Sequence, residues 1–272
     1  MKNSWDTQNQ WWDSTQVVGD GATCLCWVTD VAVVAGYGDC HVRCFHASDG
    51  TLEWAIPTAH RSPISAVACH VEASLAYLVT GGEDGSVRVW NLSTREVMMQ
   101  FAEHHRGVTG LVVDCANPKL FHSAGSDCAV FTHDLRSEKR TTSHMMREGA
   151  FTGLSQRVDS EQELITCDAN GRILFWDCDV SEPVLGVNVD GSHVTSVSVS
   201  PSGRYFVLAR DEMLTVFQLG GDATTPPKPV AEGWAHSSVV KAVRWSPDER
   251  QLVSIGKDAC ICIWNFFGTG SD

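Results

Sequence analysis

Two sets of residues carry the side chains of nucleophilic catalysis: His60, Thr80 and Asp84, and His236, Ser254 and Asp258. Hydroxyl, imidazole and carboxylate together could perform acyl transfer, provided the hydroxyl is exposed beside an oxyanion pocket. Their spacing argues for a different use. In both sets the hydroxyl residue lies four positions before the Asp, and a ring follows six positions after it, Trp90 and Trp264. A third, partial set repeats the order as His104, Ser123 and Asp127, with His133 in the ring position. A catalytic constellation is built once, whereas a set that returns along the chain is part of a repeating framework. No G-x-S-x-G, phosphate-binding P-loop or H-E-x-x-H is present, and Gly81-Gly82 belongs to a hairpin. The expectation is a chain that is not an enzyme, with no catalytic residue and no cofactor.

The eleven cysteines could suggest metal or disulfide chemistry. Cys24/Cys26 and Cys260/Cys262 are C-x-C pairs inside strand-like segments, which puts both thiols of a pair on one sheet face. Zinc sites usually show C-x₂-C knuckles with a matching second pair, and none occurs. The chain opens with no apolar leader and contains no run of about 18 apolar residues, so neither secretion nor a membrane span is expected. The cysteines read as small reduced hydrophobes, with no metal. A formal net charge of -13 without any Lys/Arg cluster argues against nucleic acid and anionic membrane as partners.

The elements that position these residues are hairpins. From Leu78 to Asn91 the chain reads as a strand, a turn at Asp84-Gly85 taken as a two-residue hairpin, and a second strand in which Val87 and Val89 alternate with Ser86 and Arg88. The unit recurs as Asp39/Phe45, Asp84/Trp90, Asp127/His133, Asn170/Trp176, Asp211/Phe217 and Asp258/Trp264. Successive turn residues stand 41 to 47 positions apart. A period near 40–45 residues with short strands predicts an all-β propeller of six four-stranded blades.

Residues 1–10 read as a polar tail and residues 11–267 as one propeller, with 268–272 a second tail. Trp12-Asp13 matches a blade ending, so residues 11–18 are expected to complete the last blade and close the ring. The blades without the His, namely one, four and five, are expected to be looser. The Pro-containing stretch 220–229 reads as a surface connection.

The repeats resemble the WD-repeat (WD40) family over about residues 11–267. The resemblance implies that His60, Thr80, Asp84 and Trp90, and likewise His236, Ser254, Asp258 and Trp264, form buried hydrogen-bonded tetrads. His133-Asp134-Leu135-Arg136 is similar to the Trp-Asp-x-Arg box by which WD-repeat receptors dock on a cullin-type ubiquitin ligase adaptor, which makes Arg136 a candidate docking residue. The order Ala59-His60-Arg61, Gly81 to Trp90, Glu103-His104-His105 and Ile173-Leu174-Phe175-Trp176 further resembles the C-terminal propeller of ciliary WD-repeat proteins that line doublet microtubules. That resemblance implies a scaffold in the axoneme of a cilium or flagellum, a microtubule inner protein with tubulin and other lumenal proteins as partners. That family has two propellers per chain, so a neighbouring chain supplying further blades is also implied. The alternative is a cytosolic receptor or assembly platform.

Overall fold

The computed structural model describes residues 21–72, 75–158, 163–177, 180–189, 193–221 and 224–268. Strand follows strand with no helix among them, in six antiparallel sheets, each in simple sequential order. Blade one is Ala22–Thr29, Ala32–Tyr37, Val42–His46 and Leu52–Ile56. Blade two is Ile64–Glu72, Leu75–Gly82, Val87–Asn91 and Val97–Phe101. Blade three is Val108–Val113, Leu120–Gly125, Ala129–Asp134 and Lys139–Met145. Blade four is Phe151–Gln156, Glu163–Asp168, Arg172–Asp177 and Leu185–Asn188. Blade five is Val194–Val199, Tyr205–Arg210, Met213–Gln218 and Lys228–Trp234. Blade six has three described strands, Val240–Trp245, Gln251–Gly256 and Ile261–Asn265. The first strand of each blade packs on the first strand of the next, from blade one to blade six, as the blades of a propeller do. The segment 11–18, expected to complete the last blade, lies outside the described residues, as does the 1–10 tail.

Blades two to five each have two apolar faces, each covered by a neighbouring blade. Five apolar clusters fill the seams between successive blades. Blades one and two share Val34, Val42, Leu78 and Trp90. Blades two and three share Val79, Val89, Leu111 and Phe121. Ala124, Val130, Leu154 and Trp176 join three to four, and Ile165, Phe175, Val197 and Phe206 join four to five. Val207, Val216, Val243 and Leu252 join five to six.

The first strand of every blade is bulged near its start, where the pairing with the second strand skips one residue. The skipped residues are Thr23, Ser65, Thr109, Thr152, Thr195 and Lys241. A bulge frees a side chain from the ladder, and four of the hydroxyls use that freedom to reach the following blade. Thr23 donates to the Ile64 carbonyl, Ser65 to Val108 (2.5 Å), Thr152 to Val194 (2.9 Å) and Thr195 to Val240 (2.5 Å).

The hairpin between second and third strands differs from the two-residue turn expected at Asp84-Gly85. Gly85 N donates to Gly82 O, Gly82 N donates to Ser86 O, and only Gly85 has positive φ (77°). This is a type I turn closed by one left-handed residue, because a two-residue type I′ turn would need positive φ at both central positions. A Cβ at Gly85 would strike the His104 carbonyl. Blade five has the two-residue turn, Asp211-Glu212 between the paired Arg210 and Met213, with Asp211 at φ 47°.

These seams carry the stability. Phe206 is fully buried, stacked on Phe217 at 5.0 Å and edge-on to Phe175 at 6.0 Å. Phe206→Ala is expected to lower the unfolding free energy by about 3–5 kcal/mol. Leu52→Ala, at a 56% exposed position, should change it by less than about 0.5 kcal/mol. Urea titrations of both variants measure the contrast.

Candidate functional site

The sequence-predicted residues do assemble, inside the blades and not on a surface. In blade six, Trp264 Nε1 donates to Ser254 Oγ (2.8 Å), Ser254 bonds His236 Nε2 (2.8 Å), and His236 Nδ1 meets Asp258 Oδ2 (3.0 Å). The Asp258 carboxylate also accepts from the Ser237 amide (2.9 Å). Each buried polar group thus has a partner, as low-dielectric surroundings demand.

Blade two departs from this pattern at one link. Trp90 Nε1 donates to Thr80 Oγ1 (2.8 Å) and Thr80 bonds His60 Nε2 (2.7 Å), but His60 Nδ1 lies 3.7 Å from Asp84. Ser86 fills the gap, bonded to His60 Nδ1 at 2.9 Å and donating to Asp84 Oδ1 at 2.7 Å. Burial lowers the His60 pKa to about 4 against the opposing pull of Asp84, so the ring is neutral at pH 7. Burial alone would raise Asp84, but the Ser86 hydroxyl and amide outweigh it and hold the carboxyl below its usual value.

Blade three shows how His133 replaces a tryptophan. His104 joins Asp127 (2.9 Å) to Ser123 (2.9 Å), and His133 Nε2 lies 3.0 Å from Ser123 Oγ. His133 Nε2 therefore takes the role of the indole N–H. Its other nitrogen, Nδ1, is buried without a partner, and the ring's centroid lies 4.5 Å from that of Phe101 and 4.7 Å from that of Phe121. Burial, with repulsion from His104 and His122, drives its pKa to about 3.

The blades without a histidine are not empty there. In blade four Trp176, 1% exposed, donates to Thr166 (2.8 Å), and Arg172 Nε donates to buried Asp168 (3.0 Å). In blade one Arg43 grips Asp39 with both terminal nitrogens (2.5 and 3.2 Å) and lies over the Tyr37 ring at 4.3 Å. Arginine partners a carboxylate in both blades, the turn residue Asp39 in blade one and Asp168, two positions before the turn residue Asn170, in blade four. Sequence reasoning missed this, although the Asp-x₃-Arg spacing at 39/43 and 168/172 signals it. It also missed a coupled glycine. Gly82, Gly125 and Gly256 occur in the three histidine blades, and a Cβ at any of them would press within 2.5–2.8 Å of the histidine Nδ1. The equivalent positions elsewhere, paired to the same end of the first strand, are Tyr37, Asp168 and Arg210.

The remaining candidates are simpler. The ten described cysteines are free. Burial pushes the Cys24 thiol up to about 11 and Cys167 to about 12, which keeps both protonated. Arg136 is 62% exposed at the blade-three rim, with Nε 3.3 Å from Asp134.

Two outcomes are expected. Thr80→Val strands the Trp90 N–H and one His60 nitrogen, and should cost about 2–6 kcal/mol in urea unfolding at about 1–3 kcal/mol per orphaned group. Acid should weaken the fold in two stages. Between pH 6.5 and 4 the unfolded chain binds protons that buried His60 and His133 refuse, so stability falls with pH. Below that, the lowered carboxyls Asp39 and Asp84 lose their contribution as pH drops through their folded pKa. His133→Phe should flatten the first stage by up to about 1.4 kcal/mol per pH unit, read from unfolding curves at pH 7.5 and 5.

Comparison with known proteins agrees with this geometry. The WD domain, G-beta repeat family matches residues 53–91 and 227–265, the spans that hold the hairpins of the two complete tetrads. Over 240 residues the chain is 24% identical to Cilia- and flagella-associated protein 52 of Sus scrofa, covering 86% of this chain and 37% of the relative. The protein of that name in Chlamydomonas reinhardtii is 27% identical over 254 residues, covering 89% and 39% respectively. The chain therefore spans less than two fifths of these relatives. A chain in the crystal structure of a mitotic checkpoint complex superposes with a TM-score of 0.78 at 19% identity, covering 89% of this chain and 74% of that one, a likeness of fold alone. The chain is thus a six-bladed β-propeller that carries two matched WD40 repeats, in blade two and blade six.

Proposed function

We propose that this chain is a non-catalytic scaffold of the ciliary or flagellar axoneme, a microtubule inner protein that contacts tubulin and other lumenal proteins of the doublet. The observation that carries the reading is the likeness to Cilia- and flagella-associated protein 52 across 86–89% of the chain. The interior chemistry supports the non-catalytic part. The Ser/Thr and His side chains of the tetrads are buried and bonded to one another inside the blades. A stiff ring of sheets suits a part that wedges between protofilaments and resists bending, with its rim and loops as the contacting surfaces.

A tagged copy expressed in ciliated cells tests this. It should stay with the detergent-extracted axoneme through a high-salt wash and cross-link to tubulin. Release into the soluble fraction, with a cullin adaptor bound and lost on Arg136→Ala, would sink the axonemal reading in favour of a ubiquitin-ligase receptor.

A further inference from the structure

The first strands of successive blades touch at a recurring pair of positions. Counted from the skipped bulge residue, the third residue along one blade lies against the fourth residue along the next. Between blades four and five, Ser155 Oγ accepts from the Val199 amide (3.1 Å). Between blades five and six, Trp245 Nε1 donates to the Ser198 carbonyl (3.1 Å). Between blades one and two, the same two positions are held by Cys26 and Cys69.

Both thiols face that seam. Cys24, Cys26 and Val28 are alternate residues of one strand and so share a face, which packs on the apolar cluster between blades one and two. Val67 and Cys69 meet the same cluster from the first strand of blade two. The two strands are tied near their starts by Thr23 and the Ile64 carbonyl. Further along, Cys69 donates to the carbonyl of Trp27, the residue after Cys26 (2.7 Å). The Cys26 thiol is hydrogen-bonded to Cys69, which together with burial raises its pKa, while the same bond lowers Cys69 against the opposing effect of burial. Both residues are half-buried. The other thiols of the cluster are engaged elsewhere: Cys24 lies beside Gly36, and buried Cys44 donates to Glu53 (3.8 Å).

We propose that Cys26 and Cys69 form a redox-modification site, closed to an intramolecular disulfide by a small-molecule disulfide of the glutathione class. Cys69 gives its proton to solvent and, as the thiolate, attacks one sulfur of the reagent. A mixed disulfide forms on Cys69 and one glutathione thiolate leaves. That thiolate takes the proton of Cys26, and the Cys26 sulfur then attacks Cys69 Sγ and displaces the second glutathione thiolate, which is protonated from solvent. Two protein thiols are thereby oxidised, and one reagent disulfide is reduced to two thiols. The bond links positions 43 residues apart and fastens blade one to blade two across their seam. Closing a loop of that length restricts the unfolded chain more than the folded one, so the oxidised form is the more stable.

The test incubates the purified 272-residue chain with glutathione disulfide, blocks the remaining thiols with N-ethylmaleimide and maps the unreduced digest by mass spectrometry. The expected result is a linked peptide pair joining Cys26 to Cys69 within one chain, reversed by dithiothreitol, with a higher urea midpoint for the oxidised chain. Cys26→Ser should stop at one glutathione on Cys69, because the displacing thiol is gone. Cys69→Ser should leave Cys26 alkylated, and both variants should keep the circular dichroism of the parent. Three outcomes would overturn the proposal. Both thiols are alkylated in the oxidised parent; either thiol is linked to Cys24, to Cys44 or to a second copy of the chain; or the Cys26–Cys69 link forms only in urea, which makes it a product of the unfolded chain.

Discussion

The structure depends on the contact between one blade's downstream face and the first strand of the next blade. A single four-stranded sheet with apolar residues on both faces has no stable solvated form, and side-by-side repetition supplies the missing cover. Four of the five seams combine a non-directional element, the apolar cluster, with a directional one, the bulge hydroxyl bonded to the neighbouring main chain. The first contributes most of the free energy. The second fixes how far each sheet is rotated against its neighbour, because a hydrogen bond of 2.5–2.9 Å tolerates little displacement.

The polar sets inside the blades do a different job. They tie the approach to each blade's first strand to the hairpin and the third-strand ring of the same blade, and the chemistry used for this varies. Three blades employ imidazole and leave room for it with a glycine. Two employ arginine, whose fixed charge and forked donors need no such space and no particular tautomer. Blade five turns in two residues, and Arg210 spans Thr215 (2.9 Å) and Glu232 (3.2 Å) within its own sheet. The role is thus filled by several partner types, and it tolerates an unmatched buried group such as His133 Nδ1.

Much of this was legible in the sequence because the propeller's period is written in turn residues and rings, which stand at fixed offsets whatever lies between them. The hairpins, the six blades and the two full tetrads follow from that count. Turn geometry did not follow, since Asp-Gly is compatible both with a two-residue turn and with a type I turn plus one left-handed residue; the latter also forms where Tyr37 or Asp168 stands at the position of Gly82. The arginine partners were hidden because Arg43 and Arg172 sit in alternating strand positions that also suit an exposed residue. Ser86 was hidden for the same reason, reading as a strand residue although its hydroxyl bridges His60 to Asp84. His133 was visible as a departure from tryptophan, but only the surrounding Phe101 and Phe121 show that a histidine there is a hydrophobe with one useful N–H.

The four bulge hydroxyls that cross a seam all run one way, from a blade to its successor. The assembly therefore has a polarity like that of a zip: a blade's grip on its follower is encoded in its own first strand, while its grip on its predecessor is encoded one repeat earlier. Moving, duplicating or exchanging a repeat would carry along the forward clasp and leave the rearward one behind. Shuffled arrays of these repeats should accordingly tolerate a foreign follower more readily than a foreign predecessor.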